Sequence, residues 1–219
     1  MINKRIRAIA QLIENDKSVI DIGCDHGYLA KQLRIQGNNN LIICCDEKIG
    51  PLNNAKSNLE KYDNIDFFCT DGVENIQKQA DVAVMAGMGH HTVEHIMLSS
   101  ESYFRNCKKI IIQVNQTVSL MRKFLMENNY CIVDEIIIKD YKYYEILCIE
   151  NGKQYLTAEQ IEFGPILMQK NNDIFRQYYL DQIKHIDIIQ KNMDINHPDR
   201  KQLDDRKEMI YKMLSSNSL

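Results

Sequence analysis

Residues 1 to about 150 alternate between short apolar runs and longer segments with helical patterning. The apolar runs are too short for helices and are rich in β-branched residues, which predicts strands at residues 19–22, 41–44, 65–69, 82–85, 110–112, 132–138 and 144–149. Helices are predicted between most of them, at residues 27–35, 51–59, 72–79, 91–98 and 118–127. Because such alternation produces right-handed crossovers, it predicts an α/β fold whose seven-stranded, mostly parallel sheet is covered on both faces.

The last two predicted strands have no helix between them. Residues 139–142, Lys-Asp-Tyr-Lys, read as a hairpin turn, so the final pair is expected to be antiparallel. Five βα units that end in an antiparallel hairpin are the plan of class I, Rossmann-like methyltransferases.

The pattern changes after Gly152. Residues 159–194 read as one long helix, in which Phe175, Tyr179 and Ile186 recur at spacings of four and seven. Residues 196–198 break the pattern, and residues 199–214 read as a second helix. We therefore predict two domains, residues 1–152 and 153–219, the second an α-helical, coiled-coil-like hairpin. A structural cap, a dimer arm and a lever that grips a large substrate all remain open for it.

Composition narrows the functional classes. A net charge of -3 over 219 residues excludes a uniformly basic nucleic-acid binder, although a local basic patch is compatible with it. The seven cysteines form no C-x-x-C pair and read as small buried hydrophobes in a reducing compartment. No signal peptide and no apolar stretch of about 20 residues is present, so we expect a cytoplasmic protein without a membrane partner.

The loop after the first strand carries the strongest functional pattern, with Asp21, Gly23, Asp25, Gly27 and Tyr28 in an eight-residue stretch. Glycine allows a tight turn and close approach of a ligand to the backbone. The dinucleotide fingerprint is absent, because Asp25 stands where its second glycine would be and would repel a pyrophosphate. A sulfonium cofactor with an amino-acid tail suits this loop, since its ammonium group needs an anion such as Asp21. An ordinary strand-to-helix turn is the alternative.

Acidic and small residues also end the next three strands. An acidic residue about 20 positions after the glycines is where a ribose is held, and an acidic residue after the third strand can accept from an adenine amine. Open α/β sheets bind ligands at this edge. The sequence therefore predicts an S-adenosyl-L-methionine site that includes Asp46, Glu47, Asp71, Gly72, Ala86, Gly87 and Met88.

Further motifs are distributed along nearly the whole chain, and the Asn-Pro-Pro-Tyr-type signature of other class I methyltransferases is missing after the fourth strand. The motifs are Lys4-Arg5, residues 21–29, Gly50-Pro51, Asp71-Gly72, residues 86–89, residues 113–115, Asp134-Glu135 and Tyr144-Glu145. With these motifs the chain resembles a known family, the bacterial tRNA (adenine(22)-N(1))-methyltransferases called TrmK. Two positions depart from the family pattern: His90 stands in place of a glycine and Val114 in place of a proline.

The resemblance implies methyl transfer from S-adenosyl-L-methionine to N1 of an adenine, at position 22 of tRNA. Adenine N1 already carries a lone pair, so no strong base is needed, but the product is cationic and an acceptor for its N6 amine would stabilise it. We predict Asp25, His26 and Asn115 as catalytic residues. A helix N-cap is the alternative for Asp25, and a structural role is the alternative for His26.

The predicted RNA-binding residues are Lys4, Arg5, Arg7 and Gln113. In the C-terminal segment acidic and basic residues interleave, which favours a solvated face there. His91 and His95 have the spacing of two metal ligands on a helix, but no third ligand is evident and the reaction needs no metal. The sequence does not determine the oligomeric state, and of the open alternatives a monomer is favoured. The competing hypotheses are a small-molecule methyltransferase and a non-catalytic protein that binds S-adenosyl-L-methionine or RNA.

Overall fold

The fold is taken from a computed structural model, which describes residues 3–195 and 197–216. Seven strands alternate with helices over the first part of the chain, and further helices follow. In chain order the elements are α1 (Lys4–Gln11), β1 (Val19–Ile22), α2 (Tyr28–Ile35), β2 (Ile42–Asp46), α3 (Ile49–Leu59), β3 (Ile65–Cys69), β4 (Val82–Met88), α4 (His90–Ser99), α5 (Glu101–Arg105), β5 (Lys109–Val114), α6 (Val118–Glu127), β6 (Tyr130–Lys139), β7 (Tyr143–Asn151), α7 (Ala158–Phe163), α8 (Pro165–Lys170), α9 (Asp173–Lys191) and α10 (Arg200–Ser216).

The strands form one sheet in the order β3-β2-β1-β4-β5-β7-β6. The first five strands in this order are parallel, and β7 runs antiparallel to both β5 and β6. The predicted seven-stranded, mostly parallel sheet with a final antiparallel hairpin is confirmed. The strand order reverses between β1 and β4, and this is the point where open α/β sheets hold ligands.

Burial explains why the apolar runs become strands. All four residues of β1 and the first four of β4 are buried, as expected for central strands covered on both faces. Helices α1, α2 and α3 each pack an apolar face against the same face of the sheet, with Ile9, Leu33 and Leu52 among the buried side chains. The core therefore supports β1 rigidly, and β1 carries the loop of interest.

The predicted helix at residues 72–79 is wrong, because this segment consists of turns and bends. Residues 70–81 form the connection between β3 and β4. It starts at the carboxyl end of the edge strand β3, passes β2 and β1, and ends at the amino end of β4. Gly72 has a left-handed φ of +78°, and the turn after it is closed by a hydrogen bond from Ile76 N to the Val73 carbonyl at 3.0 Å. Val73 and Ile76 still provide the buried contacts that gave the segment its helical pattern.

The single long helix predicted at residues 159–194 is also wrong: the chain forms α7, α8 and α9 there. Gly164 has a left-handed φ of +89°, and a Cβ at this position would lie 2.8 Å from Arg122 Nη2 and from Glu135 Oε2. Pro165 follows and has no N–H to continue the helix. The next break ends at Asn172, whose side chain accepts from Phe175 N and caps α9.

The chain divides into two compact units between Gly164 and Pro165, beyond the predicted boundary at Gly152. The reason is that α7 belongs to the first unit: Arg122 Nη1 donates to the carbonyls of Ile161 and Glu162, each at 3.3 Å. The second unit has α9 and α10 as its long helices, linked by a hydrogen bond from Gln190 Nε2 to Asp204 Oδ1 at 2.8 Å. The break predicted at residues 196–198 includes Asn196, which lies outside the described residues.

Across the described part of the chain, no helix combines the length and the apolar character needed to cross a membrane.

Candidate active site

A cavity of about 800 Å³ opens at the carboxyl ends of β1, β2, β3 and β4. It lies where the strand order reverses, so the topology alone places a ligand site there. Most of the predicted cofactor residues line this cavity, namely Asp21, Gly23, Tyr28, Asp46, Glu47, Asp71, Gly72, Ala86, Gly87 and Met88.

Three residues of the loop between β1 and α2 have a left-handed backbone conformation. Gly23 and Gly27 have φ values of +73° and +69°, and Asp25, one of the few non-glycine residue types that tolerate this region, has +50°. The N–H groups of Gly23 and Cys24 both donate to the Cys45 carbonyl, at 2.9 and 3.0 Å. The loop is thereby anchored to the end of β2 and presents its small residues to the cavity.

Gly27, which was predicted to contact the cofactor, does not line the cavity. It is buried beneath α3, and a Cβ there would lie 2.7 Å from Leu59 Cδ1 and 3.2 Å from Ala55 Cβ. Its role is to let α2 start close to α3.

Asp21 is the buried acid of the cavity, with 6% of its surface exposed. Burial raises its pKa from 3.8 to about 7, the nearby Asp46 and Asp25 carboxylates contribute to the increase, and the Arg5 cation opposes them. A buried carboxyl with a pKa near 7 is only partly ionised at neutral pH. A cationic ligand beside it would stabilise the ionised form, so this position favours a positive charge.

Asp46 organises the second wall of the cavity. Its Oδ2 accepts from Asp25 N at 3.1 Å and its Oδ1 accepts from Lys48 N at 2.9 Å, which fixes the carboxylate at the end of β2. Glu47 is exposed and lies 3.3 Å from Lys48 Nζ. Asp71 is exposed at the end of β3. These acids form a polar wall that suits hydroxyl and amine donors.

The acceptor side of the cavity lies at the ends of β4 and β5. Gly87 has a φ of +86°, and a Cβ there would lie 2.9 Å from Arg5 Nη1, so only glycine fits without a shift. Asn115 Nδ2 donates to the Gly87 carbonyl at 2.6 Å, and Asn115 N donates to the Met88 carbonyl at 2.9 Å. Because its amide N–H is committed in this way, Asn115 has Oδ1 available to a ligand.

Of the three predicted catalytic residues, Asp25 and Asn115 line the cavity and His26 does not. His26 Nε2 lies 3.5 Å from Asp25 Oδ1, beside the acid instead of in the cavity. The alternative role of Asp25 as a helix cap is wrong, because Gly27 is the N-cap of α2 and no side chain caps that end.

Among the predicted RNA-binding residues, Arg5 points away from bulk solvent and into the site. Its Nη1 donates to Gln113 Oε1 at 2.6 Å, and its Cζ lies 5.4 Å from the Tyr144 ring centroid. Gln113 is 1% exposed and also donates from Nε2 to the Val114 carbonyl, so its amide is used inside the protein and the predicted direct contact with RNA does not fit this structure. Lys4 and Arg7 are exposed on α1.

Of the two departures from the family pattern, His90 leaves its Nε2 buried without a hydrogen-bond partner among the described residues, whereas Val114 adds an apolar side chain to the core. His90 Nδ1 lies 2.6 Å from Thr117 Oγ1 at the start of α4, and Val114 is buried at the end of β5. His91 contacts Glu94 at 3.4 Å instead of pairing with His95. His90, His91 and Glu94 bring potential metal-ligand atoms within 4.8 Å of one another.

Several lining residues were not predicted. The turn between β6 and β7 contributes Tyr141 and Lys142, and α1 with its N-cap contributes Asn3 and Ile6. The sequence assigned residues 139–142 only to a turn, because nothing local indicates that this turn meets the carboxyl ends of distant strands. Thr70, Thr92 and Ile96 complete the wall near β3 and α4.

The sheet order, the left-handed glycine loop and the acidic strand ends define a class I methyltransferase. The family model of the tRNA (adenine(22)-N(1))-methyltransferases matches residues 19–217. The chain therefore belongs to the tRNA (adenine(22)-N(1))-methyltransferase family.

Individual relatives agree over the whole length. The tRNA (adenine(22)-N(1))-methyltransferase of Bacillus subtilis is 27% identical over 97% of both chains. Two solved structures are similar: Mycoplasma capricolum TrmK in complex with S-adenosyl-homocysteine, at 26% identity, a TM-score of 0.83 and 98% coverage of both chains, and a Streptococcus pneumoniae protein in complex with S-adenosyl-L-methionine, at 26% identity, a TM-score of 0.87 and coverage of 98% and 100%.

Proposed function

We propose that this protein transfers a methyl group from S-adenosyl-L-methionine to N1 of adenine 22 in tRNA. The observation that carries the proposal is one continuous cavity in which the acidic ends of β1, β2 and β3 face the Gly87–Asn115 corner. A methyl donor on the acidic side and an adenine at the corner would be within reach of each other. Family membership supports the same reaction.

The residues of the cavity fit the methyl donor. Its volume of about 800 Å³ accommodates a nucleoside with an amino-acid tail. We assign Asp21 and the Gly23 backbone to the tail, Asp46 and Glu47 to the ribose hydroxyls, and Asp71 to the adenine amine. When bound, S-adenosyl-L-methionine supplies an electrophilic methyl group on a sulfonium.

The acceptor base would lie at the Asn115 corner. Asn115 Oδ1 would accept from the N6 amine of the target adenine, and this bond strengthens as positive charge develops on the base. The lone pair on N1 would attack the methyl carbon while the carbon–sulfur bond breaks and S-adenosyl-homocysteine leaves, so no side chain has to remove a proton first. Because N1 lies on the Watson–Crick edge, the base must be unpaired or flipped into the cavity.

Asp25 would add a negative charge near the developing cation. Its side chain is 64% exposed at the cavity, and His26 lies beside it at 3.5 Å. We therefore assign Asp25 to electrostatic stabilisation and His26 to positioning of Asp25. Neither role needs a metal ion, and we propose that the protein acts without one, as a monomer, in the cytoplasm where tRNA is found.

The test is methylation of a defined tRNA transcript. Purified protein with S-adenosyl-L-methionine is expected to produce 1-methyladenosine in an unmodified transcript, and an A22→G transcript is the matched control that should stay unmethylated. Nucleoside mass spectrometry identifies the product. Methylation of both transcripts would refute the position, and cofactor binding without methylation of any tRNA would refute the reaction.

The alternatives give different results. A small-molecule methyltransferase would transfer the methyl group in the absence of RNA, and a non-catalytic binding protein would bind cofactor or tRNA without product. Asp16→Asn serves as the protein control, because Asp16 lies on the surface in an ion pair with Lys17, outside the cavity.

A further inference from the structure

Acidic and basic side chains line different sides of the cavity. Five acidic residues line the side formed by β1, β2 and β3, and phosphate groups would be repelled there; they are Asp21, Asp25, Asp46, Glu47 and Asp71. Lys48 also lies on that side but is paired with Glu47. The remaining lining cations, Arg5 and Lys142, come from α1 and from the β6–β7 turn. Among the described lining residues, this edge is therefore the one that favours the approach of a polyanion.

That edge is held in place by α1. Lys4 N donates to Asp140 Oδ2 at 3.1 Å, so the turn is tied to the positive end of the helix. Within the turn, Asp140 N donates to the Lys142 carbonyl at 3.0 Å. The tight turn leaves the Tyr141 and Lys142 side chains outside the sheet and on the cavity wall.

The two side chains of the turn are available to a ligand. Tyr141 is 81% exposed, an unusual position for a large aromatic side chain, and its ring meets the buried Tyr144 edge-on at a centroid distance of 5.7 Å. Lys142 Nζ lies 5.1 Å from the Tyr144 centroid, and within the described residues it has no carboxylate partner. Arg5 contacts the same ring at 5.4 Å.

We propose that the tip of the β6–β7 turn is the RNA-facing rim of the site. In this proposal, which rests on the function proposed above, the Tyr141 ring stacks on a base of the tRNA next to the flipped adenine and Lys142 contacts a backbone phosphate. An aromatic face with an adjacent cation is the combination that holds unpaired nucleotides without reading their sequence. Arg5 supports the rim through Tyr144 instead of reaching RNA itself.

The chain provides a matched control at the opposite end of the hairpin. Tyr155 is 97% exposed and follows an exposed lysine, Lys153, shortly after β7, and neither residue lines the cavity. The test compares Tyr141→Ala and Lys142→Gln with Tyr155→Ala and Lys153→Gln. Binding of an unmodified tRNA transcript is measured by fluorescence anisotropy at several salt concentrations, together with S-adenosyl-L-methionine affinity by calorimetry and the kcat and KM for tRNA.

Tyr141→Ala is expected to weaken tRNA binding about tenfold or more, since one stacked base is lost. Lys142→Gln is expected to reduce the slope of log affinity against log salt by about one. Cofactor affinity should be unchanged, and the KM for tRNA should rise more than kcat falls. The control pair should bind tRNA within about twofold of the wild type.

Equal effects of the rim and control pairs, or a Tyr141→Ala variant that binds tRNA like the wild type, would overturn the rim proposal. Binding is measured directly, so the comparison decides the rim even without turnover. A wild-type protein that binds tRNA but yields no 1-methyladenosine refutes the proposed function and leaves the rim result standing.

Discussion

Replacing Asp21 with asparagine is expected to have two effects. The stability of the variant relative to the wild type should increase as pH rises, and cofactor binding should weaken. The folded-state pKa of Asp21 is raised from 3.8 to about 7, first by burial and then by Asp46 and Asp25. In the unfolded chain the carboxyl ionises near its ordinary value, so the wild type loses stability as pH rises from about 4 to about 7, and the loss is complete above that. The total corresponds to about 4 kcal/mol.

About 2 kcal/mol of this loss falls between pH 5.5 and pH 8.5, because the slope is about 1.4 kcal/mol per pH unit until the folded-state pKa is reached. The asparagine side chain of the variant does not titrate, so any cost of burying its amide is the same at both pH values. Urea unfolding of wild type and Asp21→Asn at pH 5.5 and 8.5 therefore isolates the contribution of ionisation. A stability difference between the two proteins that does not change with pH would refute the burial argument.

Cofactor binding should report the same carboxyl. At pH 7 about half of the Asp21 side chains are protonated, and a bound cation would favour the ionised form, so binding should release about half a proton. Calorimetry in two buffers of different ionisation enthalpy measures this release. We expect it for the wild type and not for Asp21→Asn, whose affinity should also fall at least tenfold. A wild-type binding enthalpy that is the same in both buffers would contradict the assignment.

Three further predictions concern the loop, the acceptor corner and the buried charges. Gly27→Ala should lower the thermal midpoint by roughly 3–8 °C, since the left-handed backbone and the 2.7 Å approach to Leu59 both oppose a Cβ. The control is Gly50→Ala, because nothing lies within 4 Å of a Cβ there. This control variant should be neutral or slightly stabilising. Asn115→Ala should reduce kcat about 10- to 100-fold with unchanged calorimetric affinity for the methyl donor, and a loss of affinity with unchanged kcat would move Asn115 out of the acceptor role. Arg122→Met should cost about 3–5 kcal/mol in urea unfolding, because it removes the guanidinium that pairs with the buried Glu135 and Glu145; adding Gln substitutions at these two positions should restore much of that loss.

The main elements of the fold could be predicted because they rest on local patterns. Buried strands such as β1 and β4 read as short apolar runs, and the amphipathic α6 was predicted with both ends correct. The segment at residues 72–79 has the same kind of helical pattern and is not a helix. The chain forms a turn there that already buries Val73 and Ile76, and this burial is decided by tertiary packing.

The predicted site residues divide in a similar way. Asp21, Asp46 and Asp71 could be placed on the cavity because each lies in or just after a predicted parallel strand, and the carboxyl ends of parallel strands share one edge. Gly27 belongs to the same motif but lies beneath α3, since its φ value serves helix packing. Gln113 belongs to the same strand end as Asn115, yet it is buried against Arg5 while Asn115 lines the cavity.

By itself, the sequence determined the class of the fold, the glycine loop after β1 and the acidic character of the cofactor side, because periodicity and strand-end position are encoded within short segments. Only the tertiary structure decided that the β6–β7 turn with Tyr141 reaches the cavity, that Arg5 faces inward, and that burial raises the pKa of Asp21 to about 7. These properties depend on distances between residues far apart in the chain and on exclusion of water, and no local pattern contains either.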